Sequence, residues 1–146
     1  MYFEEFTEGM KHTTRGRIIT EADSVLFSTV TGAYNPLFLD EVHASKTAFK
    51  TRIVPGLLTA SICTGLIYQL PAEPFGEGFV ALVGARMRWN KPVRFGDTIR
   101  SEVTVVRKEP LSGQRGLVTL QAKGLNQLDE QVLEVEYRIC LLYTSP

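Results

Sequence analysis

The sequence predicts an α+β fold in which an antiparallel sheet wraps one long central helix, and three observations predict it. Hydrophobic periodicity is helical in the first half of the chain and strand-like in the second. The stretch beginning at Gly56 is apolar at nearly every position, as a helix enclosed by other structure would be. Four β-rich segments then follow one another with only turn signals between them, which favours antiparallel neighbours over crossover connections. A length of 146 residues suits a single domain covering 1–146.

Taken in order, Lys11 to Ile19 carries Thr13, Thr14, Ile18 and Ile19 in loose alternation and is expected as a first strand. Thr20 can cap a helix whose first turn holds Glu21 and Asp23, and Gly32 stops it. Gly32 to Pro36 reads as a loop, because Pro disfavours helix in the residue before it. Asp40 then caps a short helix over Glu41 to Ala48. Pro55-Gly56 opens the apolar helix, buried on all sides, in which Gly56, Ala60, Ser61 and Gly65 let a sheet approach; Pro71 and Pro74 end it. The strands are expected at Phe79 to Trp89, Asp97 to Lys108, Gly116 to Asn126 and Gln131 to Leu142, arranged as a meander.

Composition narrows the function. Sixteen Lys and Arg balance 16 Asp and Glu, and a pI near 6.7 offers no field for a phosphate backbone or an anionic lipid surface. No nucleic acid or membrane partner is expected, and the ligand is expected to be small. Cys63 and Cys140 lie far apart, with no Cys/His cluster, so no metal site is expected and both read as buried, reduced thiols. The N-terminus is acidic where an export signal is basic and then apolar, and Val54 to Leu70 is too short and too interrupted to span a bilayer. The expected location is cytoplasmic.

Between Phe27 and Gly65 the chain reads FSTVTGAYNPLFLDEVHASKTAFKTRIVPGLLTASICTG, followed later by Lys91-Pro92-Val93 and Gly96-Asp97-Thr98-Ile99. These elements resemble the MaoC-like, (R)-specific enoyl-CoA hydratases and dehydratases of the hotdog fold, and the resemblance runs through most of the chain. It implies an acyl-CoA or acyl-carrier thioester as ligand, a role in fatty-acid metabolism, and no cofactor beyond coenzyme A as part of the substrate. It also implies a homodimer joined edge to edge. In the family loop D-x-N-P-x-H, the Asp and His activate water while the next helix N-terminus binds the thioester oxygen. Here the Asp position is Ala33 and the His position is Phe38, with Asn35, Pro36 and Asp40 in register. Methyl and phenyl groups transfer no protons. The resemblance therefore leaves three readings: a hydro-lyase, a non-catalytic acyl-thioester-binding subunit that pairs with an active dehydratase, or a hotdog thioesterase.

Candidate residues follow, each with two readings. By the resemblance, Asn35, Pro55 and Gly56 frame the thioester site; Gly56 otherwise serves close packing at the helix start. Thr64 either faces the pocket or bonds back to its own helix. Asp40, His43 and Tyr34 are the groups near the motif able to exchange or donate protons, with an N-cap as the alternative for Asp40 and a core or surface place for His43. Alternation puts Arg86 and Arg88 on one face and Met87 and Trp89 on the other. With Arg94, these arginines either receive coenzyme A phosphates or keep an outer sheet face soluble. His12 has no chemical neighbours in sequence and receives no role.

Overall fold

The computed structural model describes residues 1–144. After a short 3-10 helix at Phe3–Glu5 come strands β1 (Lys11–Thr13) and β2 (Arg17–Ile18), then helices α1 (Glu21–Thr31), α2 (Pro36–Leu39), α3 (Glu41–Ser45) and α4 (Gly56–Tyr68). Four long strands complete the chain: β3 (Phe79–Trp89), β4 (Thr98–Leu111), β5 (Arg115–Leu125) and β6 (Gln131–Leu142). All pairings are antiparallel. The α+β architecture is the one expected, with α4 against the inner face of the sheet.

The strand order is β1-β4-β5-β6-β3, with β2 also on β4. This corrects the simple meander. Only β4, β5 and β6 are joined by hairpins, whereas β3 lies beside β6 at the far edge, and residues 90–97 carry the chain across to β4. The single first strand is likewise two short ones, divided at 14–16, where Thr14 turns its amide to the Ser101 carbonyl and accepts the Ser101 amide on Oγ1 at 2.8 Å. Strand β4 runs through Pro110, which sequence alone places in a turn. Proline is tolerated there because β1 and β2 reach only Thr98 to Thr104, so no second ladder needs its missing N–H.

Helix α1 follows its sequence signals. The Asp23 carboxylate reaches back to the Thr20 amide at 2.9 Å, and Gly32 adopts a left-handed conformation with φ of 76° to return its amide to Ser28. Arg17 holds the Asp23 carboxyl below its usual range. The loop expected between Gly32 and Pro36 contains the start of an extra turn, α2. Pro36 occupies its first position, where no N–H is required, and Asn35 caps it by accepting from the Leu37 amide at 2.9 Å.

Helix α4 buries Leu58, Ala60, Cys63 and Ile67 in one core with Val103, Val105, Leu120, Val135, Tyr137 and Ile139. Each large aliphatic side chain so enclosed contributes roughly 1.5–3 kcal/mol. The helix is not enclosed on all sides, which corrects the expectation: Leu57 and Tyr68 are more than half exposed, and a Cβ on Gly65 would meet nothing. That open side lies next to β3. Both cysteines are free and buried, and burial pushes the Cys63 thiol up to about 11.

Candidate functional site at the start of helix α4

A cavity of about 290 Å³ opens where α1, α2, α4 and β3 converge, lined by Phe27, Ala33, Phe38, Pro55, Gly56, Leu57 and Trp89. Local chemistry places each wall. The Gly32 turn brings Ala33 back beside Phe27, and the Asn35 cap starts α2 so that Phe38 reaches the cavity one turn later. The Val54 amide donates to the Val93 carbonyl at 2.7 Å, fixing the segment before Pro55. Alternation along β3 puts Met87 and Trp89 on the inner face, opposite Val135 and Leu133.

The floor is the N-terminus of α4. Its first amides have no intrahelical acceptor, and Pro55 carries no side-chain oxygen to cap them. They present donors and a positive helix end to an apolar wall, which suits an oxygen that gains negative charge. Trp89 donates its indole N–H to the Gly56 carbonyl at 2.7 Å. A Cβ on Gly56 would lie 2.9 Å from the Trp89 Nε1, so it is the missing side chain, not an unusual backbone conformation, that leaves room for the indole. None of the seven lining side chains titrates.

The sequence-derived candidates separate into three groups. Ala33, Phe38, Pro55 and Gly56 come together in the cavity. Asn35 and Asp40 instead spend their side chains on caps, Asp40 accepting from the His43 amide at 3.1 Å. Tyr34 is largely exposed, and His43 sits on the exposed helix α3. Replacing Asp40 by Ala is expected to cost about 1 kcal/mol of stability through the lost cap while leaving ligand affinity unchanged. Denaturant titration beside calorimetry checks this; a loss of affinity without a loss of stability would assign the carboxylate to the site.

Thr64 lies two turns down α4, in a different cavity of about 360 Å³ shared with Leu57, Tyr68, Leu82, Met87 and Tyr137. Its Oγ1 donates to the Ala60 carbonyl at 2.8 Å and accepts from the Tyr137 hydroxyl at 2.6 Å. Tyr137, which sequence reasoning missed, is pushed up to about 12 by burial and stays protonated. Arg86 and Arg88 stand on the outer face of β3, opposite Glu136 and Glu134, and neither forms an ion pair among the described residues. Arg94 donates to the Phe49 carbonyl at 3.2 Å. Arg52, unremarked in the sequence, ties Glu21 of α1 to Glu41 of α3 at 2.7 and 2.9 Å.

The MaoC-like domain family matches residues 4–125 of the chain. The protein belongs to that family. An (R)-specific enoyl-CoA hydratase of Rhodospirillum rubrum is 34% identical over 110 residues, covering 75% of this chain and 72% of its own. A 3-hydroxybutyryl-CoA dehydratase of Methylorubrum extorquens is 32% identical, covering 93% and 81%. A structure described as the monoamine oxidase regulatory protein of Archaeoglobus fulgidus superposes with a TM-score of 0.93 at 32% identity, covering 99% and 96%. A Mycobacterium tuberculosis protein described as a double hotdog, 19% identical with a TM-score of 0.86 over all of this chain and 45% of its own, agrees in fold. The MaoC-like chain therefore has the hotdog architecture that its sequence resemblance implied. Among its described residues, no group of three or more His, Cys, Asp or Glu is placed to hold a metal, and no helix is long and apolar enough to cross a membrane.

Proposed function

We propose that this MaoC-like protein binds an acyl thioester of coenzyme A or of an acyl carrier, with the thioester oxygen at the amides that begin α4 and the acyl group in the adjoining apolar cavity. The observation that carries this reading is the cavity itself: open helix amides at Gly56 and a lining with no titratable side chain. The first feature supports thioester binding, and the second argues against hydration by this chain alone. Ala33 and Phe38 stand where the family's water-activating Asp and His are expected. General acid–base groups contribute about 10² to 10⁴-fold, so their replacement leaves a ligand-binding subunit whose reaction requires an active partner dehydratase. Hydrolysis of the thioester lacks the same base and receives no support from the cavity.

Calorimetry with crotonyl-CoA, run beside a hydration assay on the pure protein, tests the reading. Saturable binding with hydration at the buffer rate is expected. Turnover at rates ordinary for an enoyl-CoA hydratase would overturn the non-catalytic part, and absence of binding would overturn the whole.

Strand β3 also supports assembly with a second copy. It is 11 residues long and, among the described residues, paired only with β6; it exposes Leu82 beside Leu57 and Tyr68 on the open side of α4. A dimer formed edge to edge at β3 covers these groups, and size-exclusion chromatography with light scattering is expected to report one; a stable monomer would count against it. In such a pair the unpaired Arg86 and Arg88 approach the second copy's site, where they can take coenzyme A phosphates. Replacing both by Ala is expected to weaken binding of a CoA thioester by about fivefold at low salt, and to leave the matching pantetheine thioester, which lacks the nucleotide, unaffected. Equal losses for both ligands would remove the arginines from phosphate binding.

A further inference from the structure

Two cavities meet at the first turn of α4. Beside the one described lies a second, of about 250 Å³, whose walls include Phe49, Ile53, Val54, Thr59 and Val93. The two share only Gly56 and Trp89. What divides them is a side chain, since the Trp89 indole closes against the Gly56 backbone at the one point where that residue's missing Cβ leaves room for it. A single hydrogen bond, from Nε1 to the Gly56 carbonyl, holds the ring there, and Trp89 is 43% exposed. The Gly56 carbonyl belongs to the first helical turn, so the indole is anchored to the same rigid element that offers the open amides.

We infer that Trp89 determines which acyl groups the site accepts: its indole is a tethered partition that confines the acyl chain to the first cavity and shuts it out of the second. This rests on the thioester reading above and goes beyond it by naming the residue that sets acyl length. Physical reasons fix the direction of the effect. Removing the indole joins the two spaces and nearly doubles the volume open to the ligand. The space gained is lined mainly by carbon, and each methylene buried there strengthens binding about fourfold. An acyl chain two or three methylenes too long for the closed site therefore gains on the order of tenfold or more once the partition is gone. Replacing the indole with a phenyl ring removes the tether and only part of the partition, and gives a smaller gain.

The test uses saturated acyl-CoAs from butanoyl to decanoyl, with affinities measured by calorimetry for the parent, Trp89→Phe, Trp89→Leu and Trp89→Ala. Because Trp89 is the sole tryptophan, its fluorescence in the parent reports the environment of the indole directly. The parent is expected to prefer the short members, with an emission change on binding. Trp89→Ala is expected to shift its preference to octanoyl and decanoyl chains by at least tenfold relative to butanoyl, and Trp89→Phe to fall between the two. If Trp89→Ala does not fold by circular dichroism, Trp89→Leu and Trp89→Phe carry the same comparison. A folded variant with the parent's chain-length profile overturns this inference while leaving thioester binding intact. A parent that binds no CoA thioester of any length overturns both.

Discussion

Introducing Ala33→Asp together with Phe38→His is expected to raise hydration of crotonyl-CoA by at least about a hundredfold over the parent protein. Both positions line the cavity above the start of α4, so the new carboxylate and imidazole stand across from the amides of Gly56 and its neighbours. The Asn35 cap and Pro36 at the first position of α2 hold the segment between them, so the two substitutions alter side chains on a fixed frame. Each single substitution should recover far less than the pair, because groups that handle one water molecule act as a unit. The imidazole accepts a proton only when neutral, so the rate should rise as pH increases through the histidine range near 6.5. A double variant that folds and binds crotonyl-CoA without any rate would mean that the amides at α4 are not an oxyanion site.

Gly56→Ala is expected to reduce thioester affinity by tenfold or more with only a small change in stability. The new methyl would sit 2.9 Å from the Trp89 Nε1 and 3.1 Å from its Cε2, so the indole has to leave. Two stability effects then oppose each other. Overpacking and the lost hydrogen bond cost about 1–3 kcal/mol, while alanine improves a helical position by up to about 1 kcal/mol over glycine. Since Trp89 can swing toward solvent, the cost should fall at the low end of that range and Tm should drop by a few degrees at most. Binding has no such compensation, because the methyl intrudes at the start of α4, where the thioester oxygen lies. A red shift of the single tryptophan's emission, with reduced affinity and nearly unchanged Tm, is the expected set of results. Unchanged emission would show that the ring did not move.

Much of the fold was legible in the residues because the punctuation is local. The strands Phe79–Trp89 and Gln131–Leu142 begin and end where expected, bracketed by glycine, proline and asparagine turns, and α1 runs between its Thr20 and Gly32 signals. The place of β3 beside β6 was not legible, since strand order is settled by how the whole sheet curls and not by any dipeptide. The open side of α4 was missed for a related reason: Leu57 and Leu58 are equally apolar in sequence, and only tertiary structure leaves one exposed and encloses the other. In the site, the meeting of Ala33, Phe38 and Gly56 was anticipated through the family resemblance and the capping role of Asp40 from its position. The tether of Trp89 was not, because alternation gives a side chain's face but not the carbonyl it finds there.

The separation of β3 from β4 has a consequence for how the chain folds. Strands β4, β5 and β6 are joined by tight hairpins, the second closed by the Asn126 side chain accepting from the Leu128 and Glu130 amides, so their ladders form between near neighbours in sequence. Strand β3 is made earlier but has to wait for β6, pairing Trp89 with Leu133 at one end and Phe79 with Leu141 at the other. Every hydrogen bond of that ladder closes a loop dozens of residues long, which is entropically slow. The hairpin triplet is thus the natural nucleus, and the strand bearing Trp89 docks late, so that the ligand cavity is among the last parts of the molecule to take shape.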